Sequence, residues 1–231
     1  MKNIVLNIPH SANYGIFDEN FGKWSKSPFF INDVVSKWTD WYTDYIFNLN
    51  SAKIRKVVFP YSRFVCDAER LENDELEEIW QGIVYTSFNG YKREISQEQK
   101  ENVHKLWRQH QKNLIYCIDE NTILIDCHSF PSEMANVDIC IGFNDDWSYD
   151  EMIVNIIKSI FEKKGYSVGI NFPFSNSITP KTDFEYKSVM IEVNKRVYMN
   201  EYTLKLHNNV RQWMRWGSTI DKIYSELESI R

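Results

Sequence analysis

The chain has 231 residues, 43% of them hydrophobic and 26% charged, a composition that suits a folded globular protein and excludes disordered and fibrous classes. A net charge of −5 supplies no basic stripe for a phosphate backbone, so nucleic acid is not an expected partner. The first apolar run is only about six residues long, too short for a signal-peptide core or a bilayer span, and a cytoplasmic protein that does not engage a membrane is expected.

That first run, Ile4-Val5-Leu6-Asn7-Ile8, reads as a strand ending at Pro9-His10, and Ser11-Ala12-Asn13-Tyr14-Gly15 beyond it has turn chemistry. Past Pro28 and Phe29, the residues Val34, Val35, Trp38, Trp41, Tyr42, Tyr45 and Ile46 recur at helical spacing and predict one long helix. Lys56-Val57-Val58-Phe59 is a second strand. It leads into Arg63-Phe64-Val65-Cys66-Asp67-Ala68-Glu69-Arg70 and then an acidic run, Leu71 to Glu78, which reads as a solvated face or a flap. Asn89-Gly90 marks a hairpin turn. Ser96 and Gln99 form a capping box for a helix whose buried stripe is Val103, Trp107, His110, Leu114 and Ile118. On that stripe His110 reads as a hydrogen-bonded core residue.

Ile123-Leu124-Ile125-Asp126-Cys127-His128-Ser129-Phe130-Pro131 reads as a buried strand that delivers His128 to a loop at its carboxyl end. Val137 to Phe143 is another strand, and Met152 to Phe161 an amphipathic helix stopped by Gly165. Ser167 to Ile170 and Ser188 to Val193 complete the strands, and the polar 171–180 loop between them is expected on the surface. From Asn200 a helical pattern runs through Leu204, Val210, Trp213, Ile220, Ile223 and Leu227, with a break expected near Gly217. Cys66, Cys117, Cys127 and Cys140 lack CxxC spacing and read as reduced thiols. Strands alternating with helices, and no linker-like tract, indicate one α/β domain over residues 1–231, with a mostly parallel sheet covered on both faces.

If the strands run side by side, His10, Asp67 or Glu69, and His128 meet at the carboxyl edge of the sheet, where open α/β sheets bind ligands. Two histidines and a carboxylate with an open position form a catalytic zinc arrangement. Glu192, set among Met190, Ile191 and Val193, is a candidate base because burial raises a carboxyl pKa. Arg70 and Arg196 are candidates for two-pronged binding of a substrate carboxylate. No short metal motif joins the two histidines, so spacing alone leaves the site open. Ser129 has no G-x-S-x-G elbow and Cys127 points away from His128, while phosphate-binding loops and G-x-G-x-x-G are absent.

Taken together, Pro9-His10-Ser11, Tyr61 to Arg70, Asp126-Cys127-His128-Ser129-Phe130 and Ile191 to Met199 resemble the N-formylglutamate amidohydrolase family, with Gly82 to Thr86 and Trp107 to His110 as further similar segments. The resemblance implies a zinc-peptidase-like three-layer α/β/α fold with a mixed, mostly parallel sheet. It also implies metal-dependent hydrolysis of a small N-acyl amino acid, with formate and glutamate as products of the type reaction. One Zn2+ ion is then held by His10 and His128, with Glu192 as base and Arg70 binding the substrate carboxylate or the oxyanion. Asp67 is the expected third ligand, or else the partner that orients His10, since Asn13 stands where related zinc carboxypeptidases place a glutamate. Glu69 stands where the family often has asparagine, and sets a negative charge beside the substrate. Arg70 and the loop through Ser175 and Asn176 hold the substrate. The rival readings are a non-catalytic small-molecule binding module and an amidase acting on peptide or cell-wall fragments; the oligomeric state is open.

Overall fold

The computed structural model describes residues 1–25, 30–48 and 54–230; Pro28 and Phe29, at the head of the expected long helix, lie outside them. A six-stranded sheet forms the middle of the molecule. Its strands are β1 (Asn3–Ile8), β2 (Arg55–Val58), β3 (Thr122–Phe130), β4 (Ile139–Gly142), β5 (Val168–Ile170) and β6 (Lys187–Asn194), in the spatial order β2-β1-β3-β6-β4-β5. The first four in that order are mutually parallel, and β4 turns antiparallel to β6 while pairing in parallel with β5. The sheet is therefore mixed and mostly parallel, as expected.

Alternation along the strands sorts side chains onto two faces. Ile123, Ile125 and Cys127 join Ile4, Leu6, Ile191 and Val193 in a core beneath the helices α2 (Glu151–Lys163) and α3 (Val210–Glu228). Val5, Leu124 and Val57 face the other way, onto Leu114 and Ile118 at the end of helix α1 (Gln97–Cys117). Asp126 and His128 share the α1 side by the same two-residue period, and so does Glu192, which lies opposite His128 in the β3–β6 register. Strand β3 runs on through His128 to Phe130, so this histidine is delivered by the strand itself rather than by the loop after it.

Two expected helices are corrected. The pattern from Val34 to Ile46 is not one helix: Thr39 is extended, Tyr42 is left-handed at φ 65°, and a short helix restarts at Thr43–Ile46. The backbone N–H of Asp40 donates instead to the His10 carbonyl at 3.0 Å, which diverts the chain toward the sheet edge. Val34 and Val35 then pack in one core and Ile46 and Phe47 in another, which a straight helix would not reach. Near the carboxyl terminus, residues 199–200 and 205–206 pair as a small antiparallel ribbon, and α3 begins only at Val210 with Asn209 as its cap. The helix passes through Gly217 unbroken, with that residue buried.

Elsewhere the local signals hold. Ser87–Phe88 and Tyr91–Glu94 form the hairpin around Asn89-Gly90, both with positive φ. The Ser96–Gln99 capping box is formed, and Val103, Trp107, His110 and Leu114 are buried. All four cysteines are free.

Candidate active site at the carboxyl edge of the sheet

The carboxyl ends of β1, β3 and β6 open into a cleft of about 550 Å³, lined among others by Asp40, Arg63, Glu69, Arg70, His128 and Glu192. His10 follows the end of β1, where Pro9 closes the strand, and its ring centroid is 5.1 Å from that of His128. A larger open groove of about 740 Å³ lies beside α2 and α3, but its lining contains no histidine, cysteine or arginine. The chemistry gathers in the smaller cleft.

Buried aspartates flank both imidazoles. His10 Nε2 donates to Asp67 Oδ1 at 2.8 Å, and Asp126 Oδ1 lies 3.1 Å from His128 Nε2. The opposite nitrogens turn toward one carboxylate, with Asp40 Oδ2 at 3.2 Å from His128 Nδ1 and 3.7 Å from His10 Nδ1. Glu69 approaches from the cleft side, 3.9 Å from His10 Nδ1 and 3.7 Å from His128 Nε2. Buried His10 Nδ1 and His128 Nε2 have no hydrogen-bond partner, whereas His128 Nδ1 is hydrogen-bonded to Asp40. His10, Glu69 and His128 offer ligand atoms within 4.8 Å of one another, a spacing that can accept a cation.

Charge at the cluster points the same way. Burial opposes ionisation of Asp40, but the two facing imidazoles outweigh it and hold its pKa below the ordinary carboxylate value. For His128, burial disfavours the imidazolium, and Asp126, Glu69 and Asp40 reverse that, so its pKa lies well above 6.5. A concentration of buried anionic oxygen this dense requires positive charge, from protons or from a divalent ion. Two neutral imidazoles and a carboxylate are a donor set that fits such an ion.

Asp67, the expected third ligand, lies behind His10 and not against the open nitrogen. Its Oδ2 accepts from Tyr85 OH at 2.6 Å and from Arg63 Nη2 at 3.1 Å, with Arg70 Nε at 3.7 Å. With its oxygens so engaged it orients His10 and anchors two arginines. Arg70 lines the cleft, as expected, and Arg63 joins it. Arg196 does not: it hydrogen-bonds Asp138 and Asn136 on the rim beyond β6, because the turn Lys195–Val197 carries it off the strand axis. Glu192 is buried in the cleft wall with Oε2 unpartnered; burial, followed by repulsion from Asp40 and Glu69, pushes its pKa up to about 8 despite His128.

The 171–180 loop lies on the surface as expected through Asn171, Phe172, Ser175 and Asn176, and its second half turns in over the cleft. Ile178 N donates to Asp126 Oδ2 at 3.1 Å, Ser177 and Ile178 are buried, and Ser175 and Asn176 line the cleft. From the acidic run and its end, Leu76 and Gln81 also reach it. Asp40 was not anticipated, since its helical spacing among Trp38, Trp41 and Tyr42 concealed it. An acidic residue inside an aromatic run was the signal.

Comparison with known proteins identifies the family and the fold. A model of the N-formylglutamate amidohydrolase family matches residues 3–199. The fold is similar to the crystal structure of N-formylglutamate amidohydrolase from Ralstonia eutropha JMP134, with a TM-score of 0.77 at 15% identity over 100% of this chain and 94% of that one. It is also similar to a gene product from Agrobacterium tumefaciens, with a TM-score of 0.71 at 16% identity over 100% and 91% of the two chains. No curated protein matches the chain. Two structural matches under a fifth identical speak for the fold, and the family match over most of the sequence speaks for descent: the chain belongs to the N-formylglutamate amidohydrolase family.

Proposed function

We propose that the protein is a zinc-dependent amidohydrolase that cleaves the acyl–nitrogen bond of a small N-acyl amino acid. The observation that carries this reading is the pair of buried nitrogens without a hydrogen-bond partner, His10 Nδ1 and His128 Nε2, which face Glu69 from 3.9 and 3.7 Å. His10, His128 and Glu69 are the proposed ligands, with Asp67 and Asp40 fixing the ring orientations through hydrogen bonds to the other nitrogens. Asp40 is the weaker third ligand, because its Oδ2 is already hydrogen-bonded to His128 Nδ1.

A bound zinc ion supplies polarisation of the acyl carbonyl and lowers the pKa of water toward neutrality. The residues of the chain do the rest. Arg63 and Arg70 bind the substrate carboxylate and so fix which face of the acyl carbon meets the water. Glu192 takes a proton from that water as the C–O bond forms, and returns it to the amide nitrogen as the C–N bond breaks, releasing the acid and the free amine. A carboxyl group with its pKa raised by burial suits both transfers. The 171–180 loop limits the access of bulk water.

Metal analysis of the purified protein and of His128→Ala, combined with turnover of N-formyl amino acids before and after chelation, tests the proposal. The expected result is about one zinc per chain, lost in the variant, and activity that chelation removes and zinc restores. Wild-type protein free of metal, or turnover indifferent to chelation, would sink it.

A further inference from the structure

Resting on that reading, with Glu69 as the third ligand, we infer that Trp107 and Gln111 of helix α1 are positioning residues that hold Glu69 at the metal-binding distance from the two imidazoles. The three ligands reach the site by different routes. His128 stands on a sheet strand and His10 just past the end of another, whereas Glu69 lies in a turn outside any helix or strand. A carboxylate on such a turn ligates well only if its backbone is ordered before the ion arrives, because otherwise binding must supply the cost of ordering it.

Helix α1 ties the backbone on both sides of Glu69. Gln111 Nε2 donates to the carbonyl of Ala68 at 2.8 Å and Trp107 Nε1 to the carbonyl of Arg70 at 2.7 Å, so the residues immediately before and after Glu69 are each held by one side chain. The N–H of Glu69 itself donates to Asp67 Oδ1 at 3.2 Å, the oxygen that also accepts from His10 Nε2. Trp107 and Gln111 stand one helical turn apart and share a face, with His110 between them. That histidine donates to Asn7, which donates to Asp126 beside His128. One helix face therefore braces the turn that carries Glu69 and, through Asn7, the flank of His128. Both donors belong to buried side chains. Removing either one frees a carbonyl and with it the turn, and the carboxylate drifts from a position that coordination tolerates only to within about 0.2 Å.

The test measures zinc affinity, by competition with a chromophoric chelator, and the visible spectrum of the cobalt-substituted protein for wild type, Trp107→Phe, Gln111→Met and Glu69→Gln. The first two changes keep most of the side-chain bulk and remove the donor. Trp216→Phe is the control, since it removes a buried indole donor to the Ile46 carbonyl in the core on the other face of the sheet. Trp107→Phe and Gln111→Met are each expected to weaken zinc binding by about 10–100-fold and to move the cobalt bands toward those of Glu69→Gln, while Trp216→Phe keeps the wild-type affinity and bands. Wild-type affinity and bands in either variant, or a loss no greater than that of Trp216→Phe, overturn the inference; if one variant fails to fold, the other decides. A Glu69→Gln variant that binds zinc as the wild type does also overturns it, because Glu69 is then no ligand, and the amidohydrolase reading stands with Asp40 as the third. Wild-type protein that binds neither zinc nor cobalt overturns the parent reading and this inference with it.

Discussion

His10 shows how a ring with two nitrogens is made to serve one purpose. Asp67 accepts a hydrogen bond from Nε2, so the other nitrogen is left as an acceptor facing Asp40 and Glu69. The tautomer is thus set from behind the site, and the strength of any metal bond at Nδ1 depends on a residue that does not touch the metal. Replacing Asp67 by Asn removes the charge that fixes that tautomer and releases Arg63 and Arg70. Zinc affinity, measured by competition with a chromophoric chelator, is expected to fall about 10–100-fold. Glu192→Gln keeps shape and removes the proposed base. Steady-state kinetics on the zinc-loaded variant should show kcat reduced by about 10²–10⁴-fold with KM nearly unchanged, and an equal loss in binding would contradict the role of base.

Among the elements, two irregular pieces hold the site together more than the regular ones do. The break at Thr39–Tyr42 turns a helical run into a corner that carries Asp40 to both imidazoles. The hairpin Ser87–Glu94 does the same for the loop of Asp67, Glu69 and Arg70 through the buried Arg93. Arg93 donates to the carbonyls of Phe21 at 2.9 Å and of Val65 and Tyr85 at 3.1 Å, so one side chain joins the amino-terminal loop, the arginine loop and the hairpin. Burial lowers its pKa to about 10, which still leaves it charged at neutral pH. Arg93→Met strands those carbonyls without a donor, and the expected loss is about 2–4 kcal/mol in chemical denaturation. Because Val65 precedes Asp67 by only two residues, zinc affinity is expected to fall in the same variant.

Across the whole molecule, a polar chain runs from helix α1 along the facing side of the sheet to the candidate site. His110 donates from Nε2 to Asn7 Oδ1 at 2.9 Å, Asn7 donates to Asp126 at 2.8 Å, and Asp126 faces His128. Burial keeps His110 neutral and lowers its pKa to about 4, outweighing the pull of Asp126. Between about 6.5 and 4 the unfolded chain therefore binds a proton that the folded chain refuses. The stability this represents is complete above pH 6.5 and declines as pH falls to about 4, by about 3 kcal/mol in all. Denaturation midpoints of the wild type measured at pH 7 and near pH 4 should differ by more than those of His110→Gln, which carries no titrating ring. Equal acid limbs in the two proteins would show that His110 is not the group responsible.

The strands, the capped helix Gln97–Cys117, the hairpin at Asn89-Gly90 and the mostly parallel α/β arrangement were legible in the sequence, because period, caps and turn residues are local properties of the chain. His10, His128 and Glu192 were legible as candidates for a related reason: each stands at or near the end of an apolar strand, and parallel strands bring such ends to one edge, whereas Arg70, in a loop well past β2, was legible only from the motif around it. Tertiary structure alone decided which carboxylate faces which nitrogen. Asp40 reaches the histidines only because its backbone bonds the His10 carbonyl, Asp67 stands behind His10 because Arg63, Arg70 and Tyr85 hold it there, and Arg196 leaves the cleft for Asp138. Spacing along a chain does not encode such choices, since each is settled by contacts between residues tens of positions apart.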